Sequence, residues 1–479
     1  MNIKKVIQIL GHVLLYMACL MMLPIVIGII FKEYIELSVF VIPIIIMFIL
    51  SFFMIRFKTD DTRYYAREGF TTVGLTWVLI ALFGSIPFVL HRFSFFDAFF
   101  ECVSGITTTG ATILSEIETL PKSLLFWRSL NNWIGGMGIL VFTLAIIPKT
   151  GVSSIYLVAA ESTGPTAEKM SPKLRDCAKI SYGLYIGFTV IEVVLLMLGG
   201  MNWFDALIHT FGTVSTGGLS NLNPGLIGTI SPYCEIVITV FMILCGVNFQ
   251  LFYLLLIKHS MRVFRNSELI GYFAVIFFAV AAIAANIYHL YENVGDSIRY
   301  AAFQVASIIT TTGFSTVDFD TWPELSKMIL FLLMFVGGCA GSTAGGIKVT
   351  RFIIMAKNIY RELCKLVSPR SVKSIRVDGN KTVDDAVVNR TTVFMTLYVF
   401  IFGISLLLLS LDKMDMLTNV TAVASGLNNI GPGFHRVGPT MNYAAYSNLS
   451  KIVLSFDMLL GRLELYPILL LFFPKTWKK

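Results

Sequence analysis

Long apolar blocks are the feature that most limits what this 479-residue chain can fold into. Val6 to Phe31, Leu37 to Ile55 and Val393 to Leu411 are clear cases, and about 20 apolar residues span the hydrocarbon core of a bilayer. Only 14% of the residues are charged, whereas about 25% are charged in soluble domains. The sequence therefore predicts an all-α polytopic membrane protein.

The net charge of +8 has a simpler explanation than nucleic-acid binding. Most of the 37 lysines and arginines lie in the gaps between apolar blocks, and basic residues that flank membrane spans stay on the cytoplasmic side. Their distribution predicts a multi-pass protein with cytoplasmic N- and C-termini. The seven cysteines form no CxxC pair, which argues against a zinc site or a disulfide framework. No membrane-protease motif is recognisable either, so we expect neither an enzyme nor a bound cofactor.

The apolar stretches are of two lengths. Ten have spanning length, at about 6–31, 37–55, 70–90, 124–148, 177–200, 232–257, 268–290, 325–350, 391–411 and 446–473. Four are too short to cross, at 95–104, 203–212, 299–309 and 416–425. Asp97 and Asp205 begin two of these short segments, and we expect them to cap half-crossing helices.

Each short segment runs into a polar, glycine-containing turn. We name these turns 1 to 4; they are Ser104–Gly110, Phe211–Gly217, Ser307–Gly313 and Ser425–Gly431. Irregular backbone at membrane depth is tolerated where it lines a cavity or is buried in protein. The recurring order predicts four span–pore-helix–span repeats in a pseudo-fourfold arrangement around one pore, after an N-terminal pair of spans. The predicted units are residues 1–60 for that pair, and 61–160, 161–262, 263–370 and 371–479 for repeats 1 to 4.

The turns have the composition needed to bind a dehydrated monovalent cation. Rings of backbone carbonyls bind such an ion without a net charge, and glycine adopts the dihedrals that aim successive carbonyls at one axis. The half-helices reach the turns with their C-terminal ends, whose partial negative charge favours a cation. The candidate cation-binding residues are Thr108, Thr109, Gly110, Ser215, Thr216, Gly217, Thr311, Thr312, Gly313, Asn429, Ile430 and Gly431.

A run of small residues at 337–346 interrupts the apolar stretch 325–350. One interpretation is close packing of two helices through small residues, and the other is an unwound loop within the membrane. The length of the run favours the loop. A phosphate-binding loop is excluded because Ile347 and Lys348 follow the glycines in place of Lys-Ser or Lys-Thr, and no strand precedes them.

Of the ionisable residues inside apolar stretches, where a charge is costly, three are candidates for a function. Arg462 is placed more than two helical turns inside the last stretch, so we expect a function. The alternatives are an ion pair with Glu464 or Asp457, or extension of the side chain to the membrane surface. Lys348 either acts in the pore or extends to the cytoplasmic surface. Glu192 is expected to pair with another side chain of the bundle, and a role in ion transport is the alternative.

Over essentially its whole length, the chain resembles the Trk/Ktr/HKT superfamily of potassium transporters. The resemblance is carried by the four turns, by the run Gly337–Lys348, and by three shorter motifs, Gly135–Gly138, Asn428–Gly433 and Gly461–Glu464. The pair of spans before the first repeat is typical of the Trk-type membrane subunit.

This resemblance implies potassium uptake through a channel-like pore whose turns form a selectivity filter. In the superfamily, glycine at the first filter position is associated with potassium and serine with sodium. The resemblance also implies a gate below the filter, made here by Gly341, Ser342, Thr343, Gly345, Gly346, Lys348 and Arg462. A sodium- or proton-coupled cation symporter is the alternative.

Partners follow from the same resemblance. It implies a homodimer in the bacterial inner membrane, and a cytosolic regulatory ring of the TrkA type that binds NAD or ATP. The basic stretch from Arg351 to Arg390 then faces either anionic lipid or that ring, or else it is an ordinary positive-inside loop.

Overall fold

The computed structural model describes residues 1–57, 65–138, 174–223, 225–256, 258–370, 373–377 and 381–478. Helices dominate these ranges. They are α1 (Ile3–Leu20), α2 (Met22–Ile30), α3 (Ser38–Ile55), α4 (Ala66–Leu90), α5 (Phe95–Ile106), α6 (Lys122–Met137), α7 (Leu174–Leu198), α8 (Trp203–Val214), α9 (Pro232–Cys245), α10 (Phe249–Leu256), α11 (Ser267–Ile287), α12 (Val294–Ile309), α13 (Glu324–Leu333), α14 (Val349–Val367), α15 (Asp385–Leu409), α16 (Met416–Asn428), α17 (Asn448–Arg462) and α18 (Tyr466–Phe472).

Two other kinds of element occur in the described ranges. A short antiparallel hairpin joins β1 (Arg376–Val377) to β2 (Lys381–Thr382). The 3₁₀ segments are Met261–Arg265, Tyr288–Leu290, Phe319–Thr321, His435–Val437 and Pro474–Thr476.

Within the described ranges, six helical segments are long and apolar enough to cross a membrane. They are Ile3–Ile30, Ser38–Ile55, Ala66–Leu90, Lys179–Leu198, Ser267–Leu290 and Asp385–Leu409, and α9 with α10 forms a seventh candidate. Large apolar side chains cover their outer faces; Phe53 on α3 and Phe400 on α15 are both exposed. An apolar surface of this kind is suited to lipid rather than water, so the prediction of a multi-pass membrane protein is confirmed.

The predicted half-helices are α5, α8, α12 and α16, which contain 12, 12, 16 and 13 residues. Each ends at one of the four turns, and its C-terminal half is buried. α17, from the last repeat, packs against α5 of the first. The repeats therefore close into one circle, and the turns lie at its centre.

The caps of the half-helices differ from the prediction in a small way. Ser94 and Asn202 cap α5 and α8, because their side chains accept hydrogen bonds from the amides of Asp97 and Asp205. The two aspartates lie in the first helical turn instead, where the positive end of the helix dipole stabilises their negative charge. The expectation that they are the capping residues was wrong.

Two predicted spans that we expected to be continuous are broken. The stretch 232–257 bends by 94° between α9 and α10, and 446–473 stops at Arg462 and resumes at Tyr466. Glu464 and Leu465 have left-handed backbone at the second break, with φ of 53° and 71°. The stretch 325–350 is interrupted after Leu333, as its small residues predicted. The described part of 124–148 is helical to Met137, and residues 139–148 lie outside the described residues.

Candidate functional site

The four turns share one backbone conformation. In each, one residue is left-handed, with φ between 55° and 57°, and the glycine two positions later also has positive φ. Residues other than glycine rarely adopt this conformation because the Cβ approaches the following carbonyl. Its recurrence in every repeat indicates a common geometry imposed by the surrounding fold. The left-handed residues are Thr108, Thr216, Thr311 and Asn429, and the glycines are Gly110, Gly218, Gly313 and Gly431.

These glycines interlock the turns into a closed ring. A Cβ added to any of them would collide with, or lie within 2.8 Å of, a carbonyl oxygen of the next turn. The pairs are Gly110 with Gly217, Gly218 with Thr312, Gly313 with Ile430, and Gly431 with Thr109. The order runs from turn 1 through turn 4 and back to turn 1, so neighbouring backbones touch with no side chain between them.

In the structure, the residues of turn 2 that are equivalent to turn 1 lie one position later than the glycine motif in the sequence suggested. Gly217 is equivalent to Thr109, since its amide donates to the Gly212 carbonyl at 2.8 Å as the amide of Thr109 donates to Ser104 at 2.9 Å. The glycine equivalent to Gly110 is therefore Gly218. Ser215, Thr216 and Gly217 all lie in turn 2 as predicted, but matching Gly217 to Gly110 was wrong.

Serine hydroxyls hold the chain that leaves three of the turns. Ser104 donates to the carbonyl of Ala111 at 2.5 Å, and Ser307 donates to that of Phe314 at 2.6 Å. In turn 4, Ser425 donates to the carbonyl of Gly431 at 2.7 Å. Each hydroxyl thereby fixes the loop between the half-helix and the outgoing strand.

The ring offers neutral oxygens to a cation. One cavity is lined by glycines of all four turns, including Gly110, Gly218, Gly313 and Gly431. The described residues contain no group of three His, Cys, Asp or Glu side chains placed to hold a metal ion. Backbone carbonyls and hydroxyls of the turns are groups that can bind a desolvated ion, and the C-terminal ends of four half-helices add negative potential there.

Residues 334–348, here called the intramembrane loop, pack against the side of the ring where the half-helices end. The amide of Gly345 donates to Oγ1 of Thr311 at 2.7 Å. A Cβ on Gly345 would also lie 2.5 Å from the carbonyl oxygen of Asn428. The cavity, in contrast, is lined by the residues that end the turns. The intramembrane loop and the cavity thus lie on opposite sides of the ring.

Arg462 joins the intramembrane loop to the first repeat. Its guanidinium donates to the carbonyl of Thr343 at 2.7 Å and to those of Gly135 and Gly136 at 2.5 and 2.6 Å. It is the last residue of α17, so the expectation of a position deep within a span was wrong. The suggested partner Glu464 lies 2.5 Å from Arg351.

The other predicted loop residues occupy the same segment. Lys348 is 1% exposed, and its ammonium donates to the carbonyls of Ala344 and Gly345, so it does not extend to the surface. Glu268 accepts from the amide of Ala340 at 2.7 Å, which fixes the loop to α11. Gly341, Ser342, Thr343 and Gly346 all lie in this irregular backbone.

Among the residues that the structure describes, Glu192 has no pairing partner of the kind that the sequence suggested. It is fully buried on α7, close to Thr213. Neither carboxylate oxygen has a hydrogen-bond partner among the described residues, and the Thr213 hydroxyl donates to the carbonyl of His209 at 2.9 Å. Within the described part of the chain, the expected pairing was wrong.

Sequence reasoning did not single out Glu101 and Arg128. They form a buried ion pair with 2.5 Å between Oε1 and Nε, behind turn 1. The available signal was a charge inside an apolar segment, which is rare and by default functional. The same signal is present at Glu101 in a half-helix and at Arg128 in the stretch 124–148.

Comparison with known proteins shows which family has this architecture. A family model described as TrkH, cation transport protein, matches residues 36–479. The chain is 34% identical to the Trk system potassium uptake protein TrkH of Halomonas elongata, with all of both chains covered, and to that of Escherichia coli K12, with 88% of each covered. The crystal structure of the potassium transporter TrkH from Vibrio parahaemolyticus superimposes with a TM-score of 0.88 at 31% identity, covering all of both chains.

These matches confirm the predicted superfamily, the fold, and a transport protein rather than an enzyme. They extend through all four repeats, and so include the ring and the intramembrane loop. The chain belongs to the TrkH family of cation transport proteins.

Proposed function

We propose that this protein takes up potassium across the bacterial cell membrane through the centre of the ring. The observation that carries the proposal is the closed contact of four glycines with the carbonyls of the neighbouring turns. Such a ring supplies several oxygens at fixed positions and no net charge, so an ion binds and still leaves. The relatives are named as potassium uptake proteins, which favours potassium as the ion.

In this proposal the selectivity filter consists of the left-handed residue, the residue after it and the glycine of each turn. Its members are Thr108, Thr109, Gly110, Thr216, Gly217, Gly218, Thr311, Thr312, Gly313, Asn429, Ile430 and Gly431. Ser215 precedes the filter, and its hydroxyl donates to the carbonyl of Phe211 at 2.5 Å. Glycine at the last position of all four turns agrees with potassium rather than sodium selectivity.

The proposed gate is the intramembrane loop together with Lys348 and Arg462. The loop is bonded to turn 3 through Gly345 and to the first repeat through Arg462. It therefore lies across the path below the ring. Conduction requires the loop to move aside, and the carbonyl contacts of Arg462 oppose that movement.

We further propose that the protein is a homodimer in the inner membrane with cytoplasmic termini, controlled by a cytosolic nucleotide-binding ring of the TrkA type. Basic residues between the spans favour this orientation. α14, the hairpin β1–β2 and the first turns of α15 carry basic residues of the stretch from Arg351 to Arg390, which provides a surface for such a regulator or for anionic lipid.

The test is ion flux into liposomes that contain the purified protein. Uptake of potassium, rubidium and sodium is compared at fixed gradients, with and without an imposed pH gradient. We expect potassium and rubidium to enter much faster than sodium, and uptake to need no second ion. Equal rates for potassium and sodium would refute the proposed selectivity. Uptake that requires a proton or sodium gradient would instead establish a symporter.

A further inference from the structure

Glu101 holds the strand that leaves turn 1. Its carboxylate accepts from Oγ1 of Thr112 at 3.1 Å and from the amide of Ile113 at 3.1 Å. Thr112 follows the ring glycine Gly110 by two residues. Glu101 is 1% exposed, so this contact is shielded from water and keeps the strand at a fixed distance from α5.

Arg128 extends this contact to the neighbouring turn. Its Nε donates to Glu101 at 2.5 Å, and its Nη1 donates to the carbonyl of Ser220 at 2.6 Å. Ser220 follows the ring glycine Gly218 by two residues, as Thr112 follows Gly110. One guanidinium therefore contacts the strand that leaves turn 2 directly and the strand that leaves turn 1 through Glu101, using a separate nitrogen for each.

The equivalent positions in repeats 2 and 3 show what is particular to repeat 1. His209 and Gln304 lie three residues before Gly212 and Ser307, as Glu101 lies three residues before Ser104. His209 Nε2 is 3.0 Å from Oγ of Ser220, and Gln304 donates to Oγ1 of Thr316 at 3.5 Å. Each of them binds the strand of its own repeat, whereas the charged pair also crosses to the next repeat.

Stability alone is a weak reason for an ion pair at this place. Taking two charges out of water costs about as much as their attraction returns, and well-packed apolar residues are often as stabilising. Arg128 also lines the cavity next to the ring, where an uncompensated positive charge would repel a cation. The pair is therefore better explained by the geometry that it enforces than by a gain in the free energy of unfolding.

We infer that Arg128, held by Glu101, is a positioning residue that fixes the distance between turns 1 and 2 and thereby sets the preference for potassium over sodium. The inference rests on the proposed function. A ring discriminates between ions of different radius only if it resists contraction around the smaller one. The linkage of both outgoing strands through Glu101 and Arg128 opposes that contraction at the junction where Gly110 contacts Gly217.

The first test is the double variant Glu101→Gln/Arg128→Met in liposomes. Removing both charges leaves no unpaired ion in the interior, so we expect folding and the unfolding temperature to be retained. The potassium-to-sodium uptake ratio should fall about tenfold, the size expected when a hydrogen bond from a charged group to a carbonyl is lost. A folded double variant with the wild-type ratio would overturn the inference.

The matched control is the double variant Asp97→Asn/Lys451→Met. Lys451 lies 2.6 Å from Asp97 at the start of the same half-helix, away from the strand that leaves turn 1. We expect this variant to keep the wild-type ratio. A similar loss in the control would show that any broken ion pair on α5 disturbs the ring, and would also overturn the inference.

Arg128→Lys provides the second measurement. Lysine keeps the positive charge for Glu101, but its single ammonium lacks the planar fork that reaches two acceptors. We expect normal thermal stability with a reduced uptake ratio. If Arg128→Lys keeps the wild-type ratio, or if it and the double variant both fail to fold, the pair is structural and the inference is wrong. A wild-type protein without selectivity would refute the proposed function itself, which is a different outcome.

Discussion

Nδ2 of Asn429 donates a hydrogen bond to Oγ1 of Thr109 at 3.0 Å, across 320 residues of sequence. The same amide donates to the carbonyl of Met458 at 2.9 Å. One side chain therefore joins turn 4 to turn 1 and anchors both to α17. This contact closes the ring at the junction between the last repeat and the first.

Substitutions of Asn429 separate the role of its backbone from that of its amide. Asn429→Gly and Asn429→Ala both lose the two hydrogen bonds, but alanine must also hold the left-handed conformation at a cost of about 1–2 kcal/mol. We expect both variants to lose potassium selectivity in liposomes, and the alanine variant to unfold at the lower temperature. Equal unfolding temperatures would show that the left-handed conformation is not retained.

Gly313→Ala should abolish potassium uptake. Its φ is 82°, and a new Cβ would overlap the carbonyl oxygen of Ile430 in the next turn. The control is Gly403→Ala, at a helical glycine on α15 whose added Cβ would meet nothing within 4 Å. The control should keep uptake and gain about 0.5–1 kcal/mol of unfolding free energy. Normal uptake by Gly313→Ala would contradict the ring geometry.

Arg462→Gln should raise potassium flux in liposomes that contain no regulator. The neutral side chain cannot hold the carbonyls of Thr343, Gly135 and Gly136 together as the guanidinium does. The loop then moves aside more often. Arg436→Gln, at an exposed residue, should leave flux unchanged. A flux equal to or below that of the wild type would remove Arg462 from the gate.

Glu192→Gln should stabilise the protein without changing its uptake. Among the described residues, the buried carboxyl group of Glu192 has no hydrogen-bond partner. A carboxylate in that setting is more costly than a neutral amide, and the gain should be about 1 kcal/mol. Thermal unfolding in detergent measures it, with the exposed Glu292→Gln as the control. If Glu192→Gln lowers potassium uptake instead, the carboxylate has a role in transport.

Much of this architecture follows from the sequence because apolar length and glycine spacing encode it. The half-helices were placed to within a few residues, and the intramembrane loop was recognised from its small residues. The offset at turn 2 was not predictable, since Gly217 and Gly218 both satisfy the motif, and only the backbone hydrogen bonds and the contact with Thr312 decide between them. The break after Arg462 could not be predicted, because the apolar residues Leu463 and Leu465 flank Glu464 and continue the apolar pattern. Tertiary packing imposes the left-handed backbone of Glu464.

The contact between Arg128 and the chain beyond turn 2 has no local signal at all. Glu101 and Arg128 are visible as charges inside apolar segments, but their partner at Ser220 is a backbone carbonyl, which every residue possesses. Sequence patterns identify side chains, but they do not indicate which backbone carbonyl a guanidinium contacts. Contacts of this kind therefore become known only when the repeats are placed next to one another.

Because one polypeptide supplies all four quarters of the ring, a change in its gene alters a single quarter. In a pore built from four identical subunits, the same change would be made four times, and most changes would be lethal to transport. Here the four turns already differ in sequence. The position held by Thr109 in turn 1 and Thr312 in turn 3 is held by Gly217 in turn 2 and Ile430 in turn 4. Evolution can therefore adjust the ion selectivity of such a protein gradually, by changing one quarter of the ring at a time.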